Sequence, residues 1–276
     1  AARPEVDKVD LVTRLIQDRR VSHDYSVPLE SISSESSIIR IPFGPKRYLR
    51  KELLWPYLDD LADQLVNRLL EQTILPDWIH AHYADAGYVA SLVCSRLGIP
   101  LVFTGHSLGR EKQRRLLAAG IDHKQIEQTY SISRRIDAEE LTLAHSNLVV
   151  TSTRQEIDQQ YARYGNFLSN KAQIIPPGVD STRFNSFHDI NQEKRIDDMF
   201  APFLTNPDLP PFLAISRAVR RKNIPALVES FGRSSYLRKH HNLILVLGCR
   251  EDIRQLEKQQ RDVFQQVFEL IDRYGL

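Results

Sequence analysis

Residues 77–105 read DWIHAHYADAGYVASLVCSRLGIPLVFTG, and their pattern decides the fold. DWIHAHY predicts a strand, and AGYVASLVCSRLG predicts a helix with Gly98 as its C-terminal stop. IPLVFTG then predicts a second strand. Strand, helix and strand in immediate succession form a βαβ unit, which requires a parallel sheet.

Working outward, Val9–Leu15 and Ser37–Gly44 predict earlier strands. Leu54, Leu61, Leu65, Leu69 and Leu70 recur at helical spacing in LLWPYLDDLADQLVNRLLEQ, with Pro56 suited to a first turn. Downstream, EQTYSISRRIDAEELTLAHS predicts a long helical region, NLVVTST a strand, QEIDQQYARYG a helix, and AQIIPPGVD a strand cut by two prolines. Residues 181–210 read as irregular, with TNPDLPP as a linker. The alternation then restarts: strand FLAIS, helix IPALVESFGRSSYLR, strand NLILVLG, helix EKQQRDVFQQVFELIDRY. The fold class is therefore α/β, with two doubly wound, Rossmann-like domains facing each other. Their expected bounds are residues 1–180, a linker at 181–210, and the start of a second domain at 211–276. The ligand of such a pair sits in the cleft at the strand carboxyl ends. The sequence opens without a start residue and stops where an α/β pattern next needs a strand, so a fragment truncated at both ends is expected.

The 276 residues are 42% apolar and 26% charged, and a net charge of +2 demands no polyanionic partner such as nucleic acid. No apolar run approaches the roughly 18 residues of a membrane span. Arg3, Glu5, Asp7, Lys8 and Asp10 make the first twenty residues too charged for a signal peptide. Two lone cysteines, Cys94 and Cys249, read as small buried hydrophobes in a reducing compartment. A cytoplasmic protein without membrane attachment is the expectation.

Several clusters carry chemistry. His80 and His82 share one face of their strand, with Asp85 three residues on. That is a metal-ligand pattern and opens a metallohydrolase reading, although no further cluster completes a shell. The alternative keeps one histidine satisfied in the core and the other against substrate. Gly105–Gly109, GHSLG, is G-x-S-x-G after a strand, the mark of a hydrolase nucleophile at Ser107. Yet none of His145, His188, His240 and His241 follows an evident acid-bearing strand, and no oxyanion-loop glycine run lies upstream. Arg110, Lys112, Arg114 and Arg115 follow instead, and cations suit a phosphorylated ligand better than an ester.

Thr151-Ser152-Thr153 ends another strand, and Ser152 or Thr153 can cap the next helix. Arg154 then stands at a helix N-terminus, against the dipole, which points to an anion there. Lys46, Arg47, Arg50 and Lys51 form a loop that is either solvated or phosphate-facing. Arg217, Arg220, Arg221 and Lys222 fill the turn after FLAIS and suit a diphosphate. The chain contains no D-x-D pair to hold a divalent ion.

HAHYADAG, TGHSLGREK, YSISRRIDAEE, TSTRQEI, IIPPGVD and SRAVRRKN together resemble the ordered motifs of the sucrose synthase and sucrose-phosphate synthase group. These are retaining GT-B glycosyltransferases of glycosyltransferase family 4, and the resemblance runs from about residue 9 to residue 276. It implies transfer of glucose from UDP-glucose to the 2-hydroxyl of fructose 6-phosphate, giving sucrose 6-phosphate and UDP. Arg154 and Lys112 stand where the resemblance favours a phosphorylated acceptor, and Lys51 matches a third phosphate-contacting cation. By the same resemblance His106 is catalytic, meeting the donor glucose beside Gly105 and Ser107, while His82, Tyr83 and Asp85 contact the sugars. Arg217 and Lys222 would neutralise the diphosphate as the glucosyl bond breaks. The donor is a substrate, so no tightly bound cofactor and no essential metal are implied.

Three departures from the family pattern stand out. Ala218 replaces a usual proline, and both the glycine-rich acceptor loop and the E-x7-E segment are absent, so this chain alone could be inactive. No Asp-x-Asp-x-Thr segment is present either, which leaves dephosphorylation to a separate phosphatase. The readings that stay open are a sucrose synthase using free fructose, a serine or metal hydrolase on Ser107 or His80 and His82, and a binding module without turnover.

Overall fold

The computed structural model of the chain describes residues 5–182, 184–185, 190–248 and 252–276, and of residues 190–193 the backbone alone. Cys249 and His188 lie outside the described residues. The chain divides into two compact units, Ala1–Val179 and Asp180–Leu276.

The first unit opens with a three-stranded sheet of β1 (Val9–Arg14), β2 (Leu29–Ser31) and β3 (Ser36–Ile41), in the order β1-β3-β2. β1 runs parallel to β3, and β2, too short to show a period in sequence, pairs antiparallel with it. A 3-10 turn at Trp55–Tyr57, with Pro56 inside it, leads into α1 (Leu58–Leu70), which buries Leu58, Ala62, Leu65 and Leu69 along one stripe.

The βαβ unit follows as β4 (Ile79–His82), α2 (Tyr83–Leu97) and β5 (Leu101–Thr104). Gly98 caps α2 with φ of 69°, a left-handed position that glycine takes without strain. Then come α3 (Gly109–Ala118), α4 (His123–Tyr130), α5 (Ile132–His145), β6 (Leu148–Thr151), α6 (Arg154–Gln159) and β7 (Ala172–Ile174). Strands β4 to β7 form a fully parallel sheet in chain order, with His82 level with Thr104 and Phe103 level with Val149. Their carboxyl ends therefore lie side by side along one edge. α2 is buried nearly all round, and α5 lies so close to it that a Cβ on Gly87 would stand 2.8 Å from the Thr142 methyl.

The second unit contains α7 (Ile190–Phe200), β8 (Pro211–Arg217), α8 (Ile224–Arg233), α9 (Ser235–His240), β9 (Asn242–Gly248) and α10 (Lys258–Tyr274). β8 and β9 pair in parallel, and Val228, Val267 and Leu270 form the core between α8 and α10. Much of this two-stranded sheet is open, with Ile215 69% exposed.

Three helical expectations are corrected. The long helical region over residues 127–146 is two helices, broken at Ser131, whose φ of 45° is left-handed. The helix over residues 224–238 breaks at Ser234, whose hydroxyl accepts from the Leu237 amide and starts α9 afresh. Residues 181–210 hold a helical stretch, α7, and belong to the second compact unit. At Ser234 the alternative was a local one, a side-chain cap in place of a continued helix. No helix among the described residues is long and apolar enough to cross a membrane.

Candidate active site

The carboxyl ends of β4 and β5 carry the residues that the histidine and glycine motifs singled out. His80 and His82 project on the same face of β4, ring centroids 4.2 Å apart. His80 Nε2 bonds the Thr104 hydroxyl at 2.8 Å, and His82 Nδ1 bonds His106 Nε2 at 2.8 Å. His80 is not the core residue that one sequence reading allowed, because part of its ring meets solvent. Crowding still strips water from it, and with His82 and His106 beside it the pKa falls to about 4. His82 is lowered in the same sense, first by desolvation and then by His106. His80 is therefore held in its neutral form at physiological pH.

His106 has φ of 52° and Tyr83 has φ of 71°, both in a region costly for residues with a side chain. Each such residue stores about 1 kcal/mol or more. The two strained residues touch, ring centroids 4.8 Å apart. The Ser107 amide closes a three-residue turn over His106 onto the Gly105 carbonyl at 2.5 Å. Gly105 is required there, since a Cβ would stand 2.6 Å from the Leu108 side chain and 2.9 Å from the Tyr161 oxygen.

Ser107 does not form a nucleophile elbow. Its Oγ meets the Arg135 guanidinium at 3.4 Å, and among the described residues no hydrogen bond joins it to a histidine or carboxylate. Nor does any group of three or more His, Cys, Asp or Glu side chains among the described residues form a metal cluster. His80 and His82 are engaged with Thr104 and His106 instead.

Beside Tyr83 lies a cavity of about 170 Å³, lined by Lys51, Trp55, Tyr83, Asp85, Lys112 and Tyr130 among others. Lys112 rests over the Tyr130 ring at 3.4 Å and Lys51 over the Tyr83 ring at 5.9 Å. The four cations after GHSLG, expected together at an anion, divide. Arg114 and Arg115 both pair with Glu111, and Arg110 pairs with Glu140. Among the described residues Lys112 makes no ion pair. Burial and then the nearby cations Arg135 and Lys51 bring its pKa down to about 8.

Arg154 does not line this cavity. It is exposed at the start of α6, where the Thr153 hydroxyl accepts from the Glu156 amide and the Glu156 carboxylate accepts from the Ser152 amide. In the second unit Arg217 ends β8 and Lys222 ends a 3-10 turn, both exposed. Ala218 between them is fully buried against Leu256, Val263 and Phe264. A small residue therefore anchors that turn through packing, where a proline would have set its angle.

Sequence reasoning missed Trp55, Tyr130 and Arg135 in the cavity wall. It also missed Glu139, which is fully buried and accepts from the Gly109 amide. The motif YSISRRIDAEE contained three of these four, but nothing in its spacing assigned them a task.

The geometry offers an aromatic wall, a carboxylate at a helix start and two lysines without an ion pair among the described residues, beside a strained histidine in the loop after β5. Residues 4–199 match the family described as "Sucrose synthase first GT-B domain". The "Probable sucrose-phosphate synthase 1" of Oryza sativa subsp. japonica is 37% identical over 337 residues, covering all of this chain and 31% of that protein. The "Sucrose-phosphate synthase" of Zea mays is 37% identical over 338 residues, covering 99% and 32%. The chain thus spans about a third of the length of these curated relatives. Among solved structures, a sucrose-phosphate synthase from Thermosynechococcus elongatus superposes with a TM-score of 0.66 at 21% identity, over 97% of this chain and 58% of that one. Anabaena HepE in complex with UDP-glucose superposes with a TM-score of 0.56 at 15% identity, over 87% and 53%. These likenesses establish the fold as the GT-B type. On the family match over most of its length, this chain belongs to the family of the sucrose synthase first GT-B domain.

Proposed function

We propose that the protein transfers glucose from UDP-glucose to the 2-hydroxyl of fructose 6-phosphate, with retention, giving sucrose 6-phosphate and UDP. The observation that carries this reading is the cavity in which Lys51 and Lys112 flank an aromatic wall, neither of them in an ion pair among the described residues. Two such cations at a sugar-sized hollow suit a phosphorylated sugar, and Asp85 and Tyr83 supply partners for its hydroxyls. Arg154, exposed at the start of α6 and outside the cavity lining, is the third cation this reading assigns to the phosphate, on the family resemblance rather than on the cavity.

His106 contacts the donor glucose, with the backbone of Gly105 and Ser107 and the ring of His82 around it. Arg217 and Lys222 take the diphosphate. The bond from glucose C1 to the diphosphate oxygen breaks, and both electrons leave with UDP. The fructose 2-hydroxyl then attacks C1 from the same face. Its proton passes to the departing phosphate oxygen, so no protein base is needed. Positioning and fixed positive charge lower the barrier, without a metal or a bound cofactor. The product keeps its phosphate, and a separate phosphatase releases free sucrose. A cytoplasmic reaction away from membrane and nucleic acid belongs to this reading, supported by two cysteines and a net charge of only +2.

The test is product formation by the full-length protein from UDP-glucose, without added metal, with fructose 6-phosphate against fructose. Turnover is expected with the phosphorylated acceptor alone. Arg154→Ala is expected to lower kcat/KM for that acceptor about tenfold, the size of one charge-assisted contact. Equal use of both sugars, unchanged by the substitution, would make the protein a sucrose synthase and Arg154 a surface residue.

A further inference from the structure

We propose that Arg135 and Glu139, an ion pair one turn apart on α5, are positioning residues that hold the Gly105–Gly109 loop in the turn that presents His106. The proposal rests on the role given to His106 above.

The loop and the residue after it are bound by groups from beneath at Gly105, Ser107, Gly109 and Arg110. The Gly105 amide donates to the Tyr161 oxygen at 2.8 Å. The Arg135 guanidinium donates to the Ser107 carbonyl through Nη2 and to Glu139 Oε1 through Nε, the latter at 3.0 Å. The Gly109 amide donates to Glu139 Oε2 at 2.8 Å, and the Tyr164 hydroxyl donates to the same oxygen. The Arg110 amide closes the set by donating to the Tyr164 oxygen at 3.0 Å. Both residues of the pair thus hold each other and the loop backbone, at the Ser107 carbonyl just after His106 and at the Gly109 amide, while Tyr161 holds the Gly105 amide before it.

The pair is deeply buried, with Glu139 fully covered and Arg135 only 7% exposed. A buried ion pair gains little net stability, because the loss of hydration offsets the attraction. Apolar residues would therefore hold α5 in place at least as well, but they could not grip the Ser107 carbonyl and the Gly109 amide. Glycine at 109 completes the fit, since a Cβ there would stand 2.8 Å from Glu139 Oε2. His106 at φ of 52° does not keep its turn unaided, and the anchored peptides on either side impose it. The arrangement is a rigid support for a residue whose ring is itself exposed.

The test is a double-mutant cycle in the full-length protein, with amide hydrogen exchange of the loop as an independent readout. Glu139→Gln keeps the volume but removes the charge, and is expected to lower kcat about 10²-fold with KM for both substrates little changed. Exchange of the Ser107 and Gly109 amides is expected to speed up at least about tenfold. In a His106→Ala background the same Glu139→Gln change is expected to move kcat by less than about threefold, since its effect passes through His106. An equal loss of kcat in both backgrounds, or unchanged exchange in the loop, would overturn the proposal. Should Glu139→Gln not fold, Arg135→Lys retains the charge opposite Glu139 but cannot also reach the Ser107 carbonyl, and the same cycle is run with it. If His106→Ala alone leaves kcat intact, the assignment of His106 fails. The exchange data then still decide whether the pair holds the loop.

Discussion

Lys112→Ala is expected to raise the KM for fructose 6-phosphate about 10- to 100-fold while raising, not lowering, the melting temperature. A charge-assisted hydrogen bond to phosphate contributes about 1.5–3 kcal/mol, and each 1.4 kcal/mol is a factor of ten. Lys112 is the residue at the cavity best able to make that bond, because Arg110, Arg114 and Arg115 are tied to Glu140 and Glu111. The stability effect has the opposite sign. Desolvation by burial and the charges of Arg135 and Lys51 hold the Lys112 pKa near 8, so its charged form is disfavoured in the fold. Truncation removes that penalty, offset only in part by the lost contact with the Tyr130 ring.

The pH dependence follows from the same displacement. The folded-state value of about 8 lies below the ordinary 10.5, so between these values the unfolded chain binds more protons. The Lys112 contribution to stability is therefore full above 10.5 and is lost as the pH falls through 8. Ligand affinity runs the other way, since a phosphate dianion needs the protonated lysine. Acceptor binding is expected to weaken as the pH rises past about 8, and Lys112→Arg should abolish that decline because a guanidinium stays charged. Acceptor KM and calorimetric melting for the two variants across pH 6–10 decide the matter. A KM indifferent to Lys112→Ala would remove this lysine from the phosphate site.

Phe103→Ala is expected to cost the first unit about 3–5 kcal/mol, the range for deleting a buried aromatic ring. Phe103 is fully buried in β5, level with Ala81 of β4 and Val149 of β6. Its ring reaches α2 at Gly87, where a Cβ would lie 3.1 Å from Cε2. A strand, two neighbouring strands and a helix fix the walls of the hollow left behind, so little collapse can fill it. Such a loss is a large part of a typical domain's 5–15 kcal/mol. Both tryptophans, Trp55 and Trp78, lie in the first unit, so their fluorescence in urea reports its unfolding without interference from the second. A loss below about 1 kcal/mol would mean that the core around β5 repacks freely. Activity at low temperature, where the folded fraction persists, should change far less than stability, because Phe103 is not among the residues that line the cavity.

What was legible in the sequence was whatever neighbours along the chain decide. The alternation of apolar runs gave the order of strands and helices, and Gly98 marked the end of α2 because its φ of 69° suits glycine. Both histidines on one face of β4 followed from the strand period alone. The caps at Thr153 and Pro56 were equally local matters.

Tertiary structure decided what depends on partners distant in the chain. A cation run cannot say which members are already neutralised, yet Glu140, thirty residues beyond Arg110, takes that arginine out of the site. Ser131 reads as helical until packing turns it to φ of 45° and splits one helix into α4 and α5. In GHSLG the resemblance singled out His106, but the support from Arg135 and Glu139 beneath the loop is visible only in the fold. Short-range order comes from backbone geometry and periodicity, which every residue carries with it. The chemistry of a side chain depends on burial and on its charged neighbours, and only the folded chain supplies those.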